Sequence, residues 1–326
     1  MKIAITGASG LIGRSLFDEL LSVGHEISIL TRKGEFPVPF IKIVKGDLLS
    51  DKSDFLALVD GVDVIYHCAG EIKDESLMAE LHIGGTRRML DAVRESIKKN
   101  RKPVHWIQLS SVGAYGIDGP TSRRKRIINE QSPESPLSIY EITKTASDQL
   151  VREFSSKEPL FSFTILRPTI VIGSKMPNES FHAMARMIKR GFFFWIGRKE
   201  AIANYVHLDD VVGALIKCLN DPRSKGRVFI ISNDCPLAEV VAAFANSMRV
   251  PVPKLVMPET LLRLLVGIVG PWVRLPLTIQ RIDALTRQTH YSSKLIYEIL
   301  GYLPSASIPE IIPKLVDESA ERLMLN

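Results

Sequence analysis

Tyr140-Glu-Ile-Thr-Lys144 sets a phenol and an ammonium four residues apart, so on a helix both project from one face. A free tyrosine, with a pKa of about 10, is a weak base at neutral pH. A lysine cation beside it favours the phenolate and lowers that pKa, so the phenol can exchange a proton with an alcohol or carbonyl oxygen. A lone pair of this kind recurs by chance. Ser111, in Leu109-Ser-Ser-Val-Gly-Ala-Tyr-Gly116, gives it weight. It follows Val104–Leu109, read as a strand, and ligands of open α/β sheets sit beyond the carboxyl ends of strands. A hydroxyl there polarises the same oxygen. The chemistry this implies is hydride transfer at that carbon, which needs a hydride carrier.

The N-terminus offers a place for one. Thr6-Gly7-Ala8-Ser9-Gly10-Leu11-Ile12-Gly13 puts glycines at the first, fourth and seventh positions of GxxGxxG, between an apolar run (Lys2–Thr6) and a helical pattern. The first glycine permits a tight turn, the second a close approach of pyrophosphate, and the third close packing of helix on strand. Free amides from Ser9 to Gly13 then face the anion. An acidic residue ending the second strand would favour NAD. Thr31-Arg32-Lys33 stands there instead, and Arg32 suits a 2′-phosphate. NADP(H) is therefore expected, with NAD as the alternative. Asp47, in Gly46-Asp47-Leu48, is a candidate for the adenine amino group.

These residues need a scaffold, and strand and helix patterns alternate to supply it. Strands are expected at 2–6, 26–30, 62–67, 104–109 and 161–166, with helices at 80–97 and 139–154 between them. That rhythm predicts an α/β fold, a Rossmann doubly wound parallel sheet with a smaller, mostly helical C-terminal substrate domain. The expected boundaries are 1–170 plus about 205–232 for the dinucleotide-binding domain, and 171–204 with 233–326 for the substrate cap. Residues 174–204 read as irregular. After Pro236 the chain reads as helical, with breaks at prolines 251, 253, 258, 271 and 276.

Composition narrows the function classes. The chain has 326 residues, 45% hydrophobic and 24% charged, with a net charge of +6, which argues against wholesale disorder. Cys68, Cys218 and Cys235 are far apart, and His67, His82 and His207 lack ligand spacing, so neither a disulfide framework nor a metal site is expected. A reducing cytoplasm and no secretory signal at MKIAITGASG follow. Arg123-Arg-Lys-Arg126 reads as a solvated loop on the substrate side, and nucleic acid is not an expected partner. Leu261 to Ile282 is the most apolar stretch, but Arg263, Arg274 and Arg281 interrupt it. It reads as a buried or lid-like helix, with membrane-surface contact as the alternative and no transmembrane span.

Taken together, the chain resembles an extended short-chain dehydrogenase/reductase of the NAD-dependent epimerase/dehydratase group. The resemblance covers most of the length: the glycine turn, Gly46-Asp-Leu48, His67-Cys-Ala-Gly70, Gly85-Thr86, Ser110 to Gly116, Tyr140 with Lys144, Leu166-Arg-Pro168 and Tyr205 to Val211. It implies Ser111 for carbonyl polarisation, Tyr140 for acid–base chemistry and Lys144 for ribose contact and pKa tuning. It also implies cofactor contacts at Leu48, Ala69 and Gly70, and a homodimer through helices flanking the sheet. In one departure, His82 stands where the family usually has asparagine, so the helix bend or proton path implied there does not carry over by sequence.

The segments Met187 to Gly197, Tyr205 to Val211, Tyr291-Ser-Ser-Lys294 and Leu300-Gly-Tyr302 are similar to bacterial sugar-nucleotide epimerases and 4-keto-sugar reductases. That similarity implies a UDP-hexose or UDP-N-acetylhexosamine substrate and a role in surface polysaccharide (lipopolysaccharide) synthesis. Arg167, Lys189, Arg190, Arg198 and Arg281 are the candidates for substrate contact, the last four for the diphosphate. Asn204, where many sugar enzymes carry arginine, keeps a hydroxysteroid- or dihydroflavonol-type reductase open, and a non-catalytic dinucleotide-binding regulator is the third reading.

Overall fold

The structure, a computed structural model, describes residues 1–326 except 40, 117–124, 175, 177–178, 270–276 and 319–326. Arg123, Arg124, Pro271, Arg274 and Pro276 therefore lie outside the described residues. The sheet consists of β1 (Lys2–Thr6), β2 (Glu26–Thr31), β3 (Lys42–Lys45), β4 (Val64–His67), β5 (Val104–Leu109), β6 (Phe161–Pro168) and β7 (Arg227–Ile231). Their order is β7-β6-β5-β4-β1-β2-β3, with every pairing parallel. Shorter ladders are named by their residues.

The helices are α1 (Leu11–Ser22), α2 (Phe55–Val59), α3 (Glu75–Ala79), α4 (Gly85–Asn100), α5 (Ile139–Lys157), α6 (Glu179–Lys189), α7 (Leu208–Asn220), α8 (Leu237–Ser247), α9 (Glu259–Val269), α10 (Ile279–Thr286), α11 (Lys294–Leu300) and α12 (Ile308–Glu318). Successive side chains of a strand point to opposite faces. In β1, Ile3 and Ile5 accordingly join a core with Leu16 of α1 and Leu215 of α7. Ala4 joins the other face, with Leu58 of α2, Met89 of α4 and Val151 of α5. Burial on both faces explains why these strands read as mostly apolar runs. A second core gathers Phe181, Trp195, Phe244 and Ile312 from α6, α8, α12 and the segment between them.

The chain order turns back between β1 and β4. At such a point two connections leave in opposite directions and open a crevice at the strands' carboxyl ends. The glycine turn follows β1, and Cys68–Gly70 follows β4, so both expected loops meet there.

The structure also corrects the sequence reading. Strand β3 was not expected. The segment 174–204 is not irregular throughout, because α6 forms where Phe181, Met184, Ala185 and Ile188 fall on one buried face. The helix expected at 80–97 opens with a wider π-type turn, Glu80–Gly84, continues as α4 to Asn100, and is preceded by the unexpected α3. Among the described residues, no helix is long and apolar enough to cross a membrane.

Candidate active site

A cavity of about 740 Å³ lies at the switch point. One wall is the glycine turn: Gly7, Gly10, Leu11, Ile12 and Gly13 all line it, as do Cys68, Ala69 and Gly70 opposite. The turn is tight, with the Gly10 amide donating to the Gly7 carbonyl at 2.9 Å. Gly7 has φ +73°, and a Cβ built there would lie 2.6 Å from the Ala69 nitrogen. A Cβ on Gly13 would overlap the Gly7 carbonyl oxygen. No side chain caps α1, so its first amides keep their donors for a ligand at the helix's positive end. Ser9 is exposed at the lip of the turn.

The other wall carries the reactive side chains. Ser111 caps the short turn Val112–Tyr115 through its Gly113 amide bond of 3.1 Å. The start of α5 is fixed by a capping box between Ser138 and Glu141. A Cβ on Gly113 would come within 2.7 Å of the Glu141 side chain, so the glycine lets α5 approach this loop. That approach brings Ser111 and Tyr140 onto the same cavity wall. Lys144, one turn along and buried, donates to the Leu109 carbonyl at 2.7 Å. Ser111, Tyr140 and Lys144 all line the cavity. The three residues singled out in the sequence thus meet at one cavity.

Its electrostatic expectation needs revision. Burial pushes the Tyr140 phenol up to about 12, Asp148 adds to the rise, and the Ser111 hydrogen bond pulls the other way. Burial lowers the Lys144 pKa, opposed by Asp148. The phenol is therefore protonated at neutral pH.

Beneath the catalytic helix lies a buried ion network. Arg167 Nη2 donates to Asp148 Oδ2 at 2.9 Å and to Glu134 Oε1 at 2.6 Å, and Arg167 Nε reaches the same Asp148 oxygen at 3.2 Å. Ser110 donates to that oxygen at 2.7 Å. Arg167 is 1% exposed and does not line the cavity. The expectation that it touches substrate is corrected, since its donors are committed to carboxylates of its own fold. Lys189, Arg190, Arg198 and Arg281 are exposed and also off the cavity wall. The cation that faces the cavity from that side is Arg287, with Asn204 and Tyr291. A short parallel ladder between Thr289–Tyr291 and Arg126–Ile128 brings this segment in. The signal available in the sequence was an arginine just ahead of the quoted Tyr291-Ser-Ser-Lys294 motif.

Arg32 is exposed one residue beyond β2. Asp47 is half-buried, and its carboxylate accepts from the Leu49 amide at 3.0 Å, the turn contact of an Asx motif. Leu48 is buried against the start of α4. His82 occupies the π-type turn. The Glu71 amide donates to its Nε2 at 2.9 Å, so the ring's proton sits on Nδ1, which donates to the Thr143 hydroxyl at 2.8 Å. Its ring stands edge-on to Tyr140, with centroids 5.7 Å apart. The helix bend is thus present with histidine in the asparagine's place. His67 bonds Thr6 and Thr86, at 2.8 and 3.2 Å.

A glycine cradle and a serine–tyrosine–lysine group at the switch point of a parallel sheet define a nicotinamide-dependent, oxidoreductase-type enzyme. Residues 3–232 match the NAD dependent epimerase/dehydratase family, and the chain belongs to it. It is 23% identical to a mouse sterol-4-alpha-carboxylate 3-dehydrogenase, decarboxylating, over 97% of this chain and 90% of that one. It is 24% identical to the N-acetyl-alpha-D-glucosaminyl-diphospho-ditrans,octacis-undecaprenol 4-epimerase of Escherichia coli O157:H7, over 80% of this chain and 76% of the relative. Among solved structures, the UDP-glucuronic acid 4-epimerase of Bacillus cereus in complex with NAD superposes with a TM-score of 0.74 at 19% identity, covering 99% of this chain and 100% of the other.

Proposed function

We propose that the protein transfers hydride at C4 of a nucleotide sugar, a UDP-hexose or UDP-N-acetylhexosamine, as a 4-epimerase or 4-ketoreductase serving surface-polysaccharide synthesis. The observation that carries this reading is the convergence of Ser111, Tyr140 and Lys144 on a cavity whose cap side presents one cation, Arg287, among its described lining residues. The turn Gly7–Gly13, the uncapped start of α1 and the loop at Ala69–Gly70 fit a nicotinamide dinucleotide, which when bound supplies or accepts the hydride. Exposed Arg32, ending β2 without an acidic neighbour in the NAD-favouring position, supports NADP(H) over NAD. In the reducing direction Tyr140 gives its proton to the keto oxygen that Ser111 polarises, and in oxidation the same proton returns to it. Lys144 holds positive charge beside the site, and Arg287 meets the diphosphate. The division into a dinucleotide-binding part (1–170 with about 205–232) and a cap (171–204 with 233–326), a homodimer and a cytoplasmic setting belong to the same proposal.

A second reading has its own support. Ile72, Val112, Ile170 and Val171 line the cavity, and Asn204 stands where the resemblance implies arginine, which suits an apolar ketone. One experiment separates the readings. Tyr140→Phe is expected to keep its cofactor affinity while turnover of UDP-sugars falls at least about a hundredfold. Unchanged turnover refutes the catalytic assignment. Turnover of a hydrophobic ketone with no thermal stabilisation by UDP favours the second reading.

A further inference from the structure

We propose that the outer face of α9, with the neighbouring turns at Phe192 and Leu255, docks on a bilayer surface containing anionic lipid. The proposal stands independently of which substrate the cavity takes.

Helix α9 is amphipathic with its larger apolar side facing out. Leu262 is 7% exposed and packs with Ile196 and Ile282, with Val266 one turn on. Arg263 is bound to Glu259 at 2.9 Å and to Asp283 at 2.6 Å, which fixes the helix on α10. These contacts satisfy one face. Leu261, Leu264, Leu265 and Ile268, at i, i+3, i+4 and i+7, form an opposite stripe that is exposed, Leu264 and Ile268 to 60% and 61%. A Cβ on Gly267 would meet nothing within 4 Å. Two more exposed apolar side chains belong to the strand pair next to this helix. Val256–Met257 pairs with Trp195–Ile196, and Leu255 just before it is 62% exposed. Phe192, whose amide closes the end of α6 onto the Met187 carbonyl at 2.9 Å, is 70% exposed. Apolar exposure gathered in one unit of a fold marks an interaction surface rather than scattered surface residues.

Charge selects the partner. Residues 187–200, 249–268 and 279–286 hold eight basic side chains and three acidic ones, against +6 for the whole chain. Two of those acids, Glu259 and Asp283, are bound to Arg263. Lys254 directly precedes Leu255, and Arg190 lies two residues before Phe192. Lys199 sits over the Trp195 ring, 5.1 Å from its centroid. An exposed apolar stripe in a net basic unit of the fold suits a helix lying in the interface of an anionic bilayer. A second copy meeting this face symmetrically would set the same cations against each other, which opposes self-association. Because α10 packs on α9 and runs directly into Arg287 on the cavity wall, the docking face and the site share one short element.

Vesicle co-sedimentation tests the proposal, using phosphatidylcholine alone and an equal mixture with phosphatidylglycerol. The wild type is expected to pellet with the mixed vesicles, and less as salt rises. Leu264→Ser/Ile268→Ser should lose at least about tenfold in affinity while keeping its melting temperature and cofactor affinity. Lys199→Glu/Lys254→Glu should lose affinity for the mixed vesicles. The proposal is overturned if the wild type stays in solution with both vesicles, or if the serine variant pellets as the wild type does. It is equally overturned if the wild type forms dimers that the serine variant abolishes and binds neither vesicle.

Discussion

Arg167→Met distinguishes a residue that holds the fold from one that holds the substrate. Methionine roughly preserves length and apolar packing but removes the guanidinium. Asp148, fully buried, then keeps the Ser110 hydroxyl as a side-chain donor, whereas Glu134 keeps Arg152 at 2.9 Å. The damage is concentrated on one unpaired carboxylate, and breaking a buried pair costs about 3–5 kcal/mol. Against the roughly 5–15 kcal/mol of a typical fold, that is a large share. Urea unfolding at neutral pH should show a loss of that size. Arg167→Met/Asp148→Leu should recover at least about half of it, because a well-packed apolar replacement of a buried pair is often neutral. The folded fraction of the single variant should retain the wild-type KM. A loss below about 1 kcal/mol, combined with a tenfold rise in KM for the substrate, would refute the argument and return Arg167 to the substrate site.

Gly13→Ala forces α1 away from the Gly7 carbonyl, and dinucleotide affinity should fall at least about tenfold by fluorescence titration; unaltered affinity would mean the cradle is not the site. Burial holds His67 and His82 down to about 3 and His105 to about 4, below the ordinary 6.5. The unfolded chain therefore takes up protons below pH 6.5 that the native state refuses. Their contribution to stability is complete above that pH and is lost as pH falls toward 4, by up to about 1.4 kcal/mol per pH unit for each histidine. His105→Gln should reduce that acid slope by one proton, and an unchanged slope would count against the burial argument. Arg32→Asp should lower kcat/KM for NADPH at least about tenfold relative to NADH; an unshifted ratio would remove Arg32 from the cofactor site.

The glycine turn, Ser111, Tyr140 and Lys144 were legible because each depends on short-range geometry. The glycine spacing and the Tyr140–Lys144 pair each lie within a turn or two, and Ser111 lies just past a strand end. The same locality made the long strands readable, since burial on both faces leaves β1, β4 and β5 mostly apolar. Strand β3 escaped because Lys42-Ile-Val-Lys45 is an edge strand with two lysines, which protects an open sheet edge and hides its pattern. The substrate-side cations were misassigned for a different reason. Whether a basic residue faces a cavity depends on contacts far apart in sequence, and the ladder that carries Arg287 inward joins residues 126–128 to 289–291. Arg167 failed in the opposite sense: Leu-Arg-Pro reads as a motif, but only the fold shows Asp148 and Glu134 waiting beneath it.

The histidine in the π-type turn acts as a pin between two parts of the fold. Through one ring nitrogen it holds the backbone that leaves β4, and through the other it holds the helix that aims the phenol. Loop and helix must therefore shift together. A substitution that freed Glu71 from the imidazole would blur the aim of Tyr140 from a distance, without altering any group that reacts.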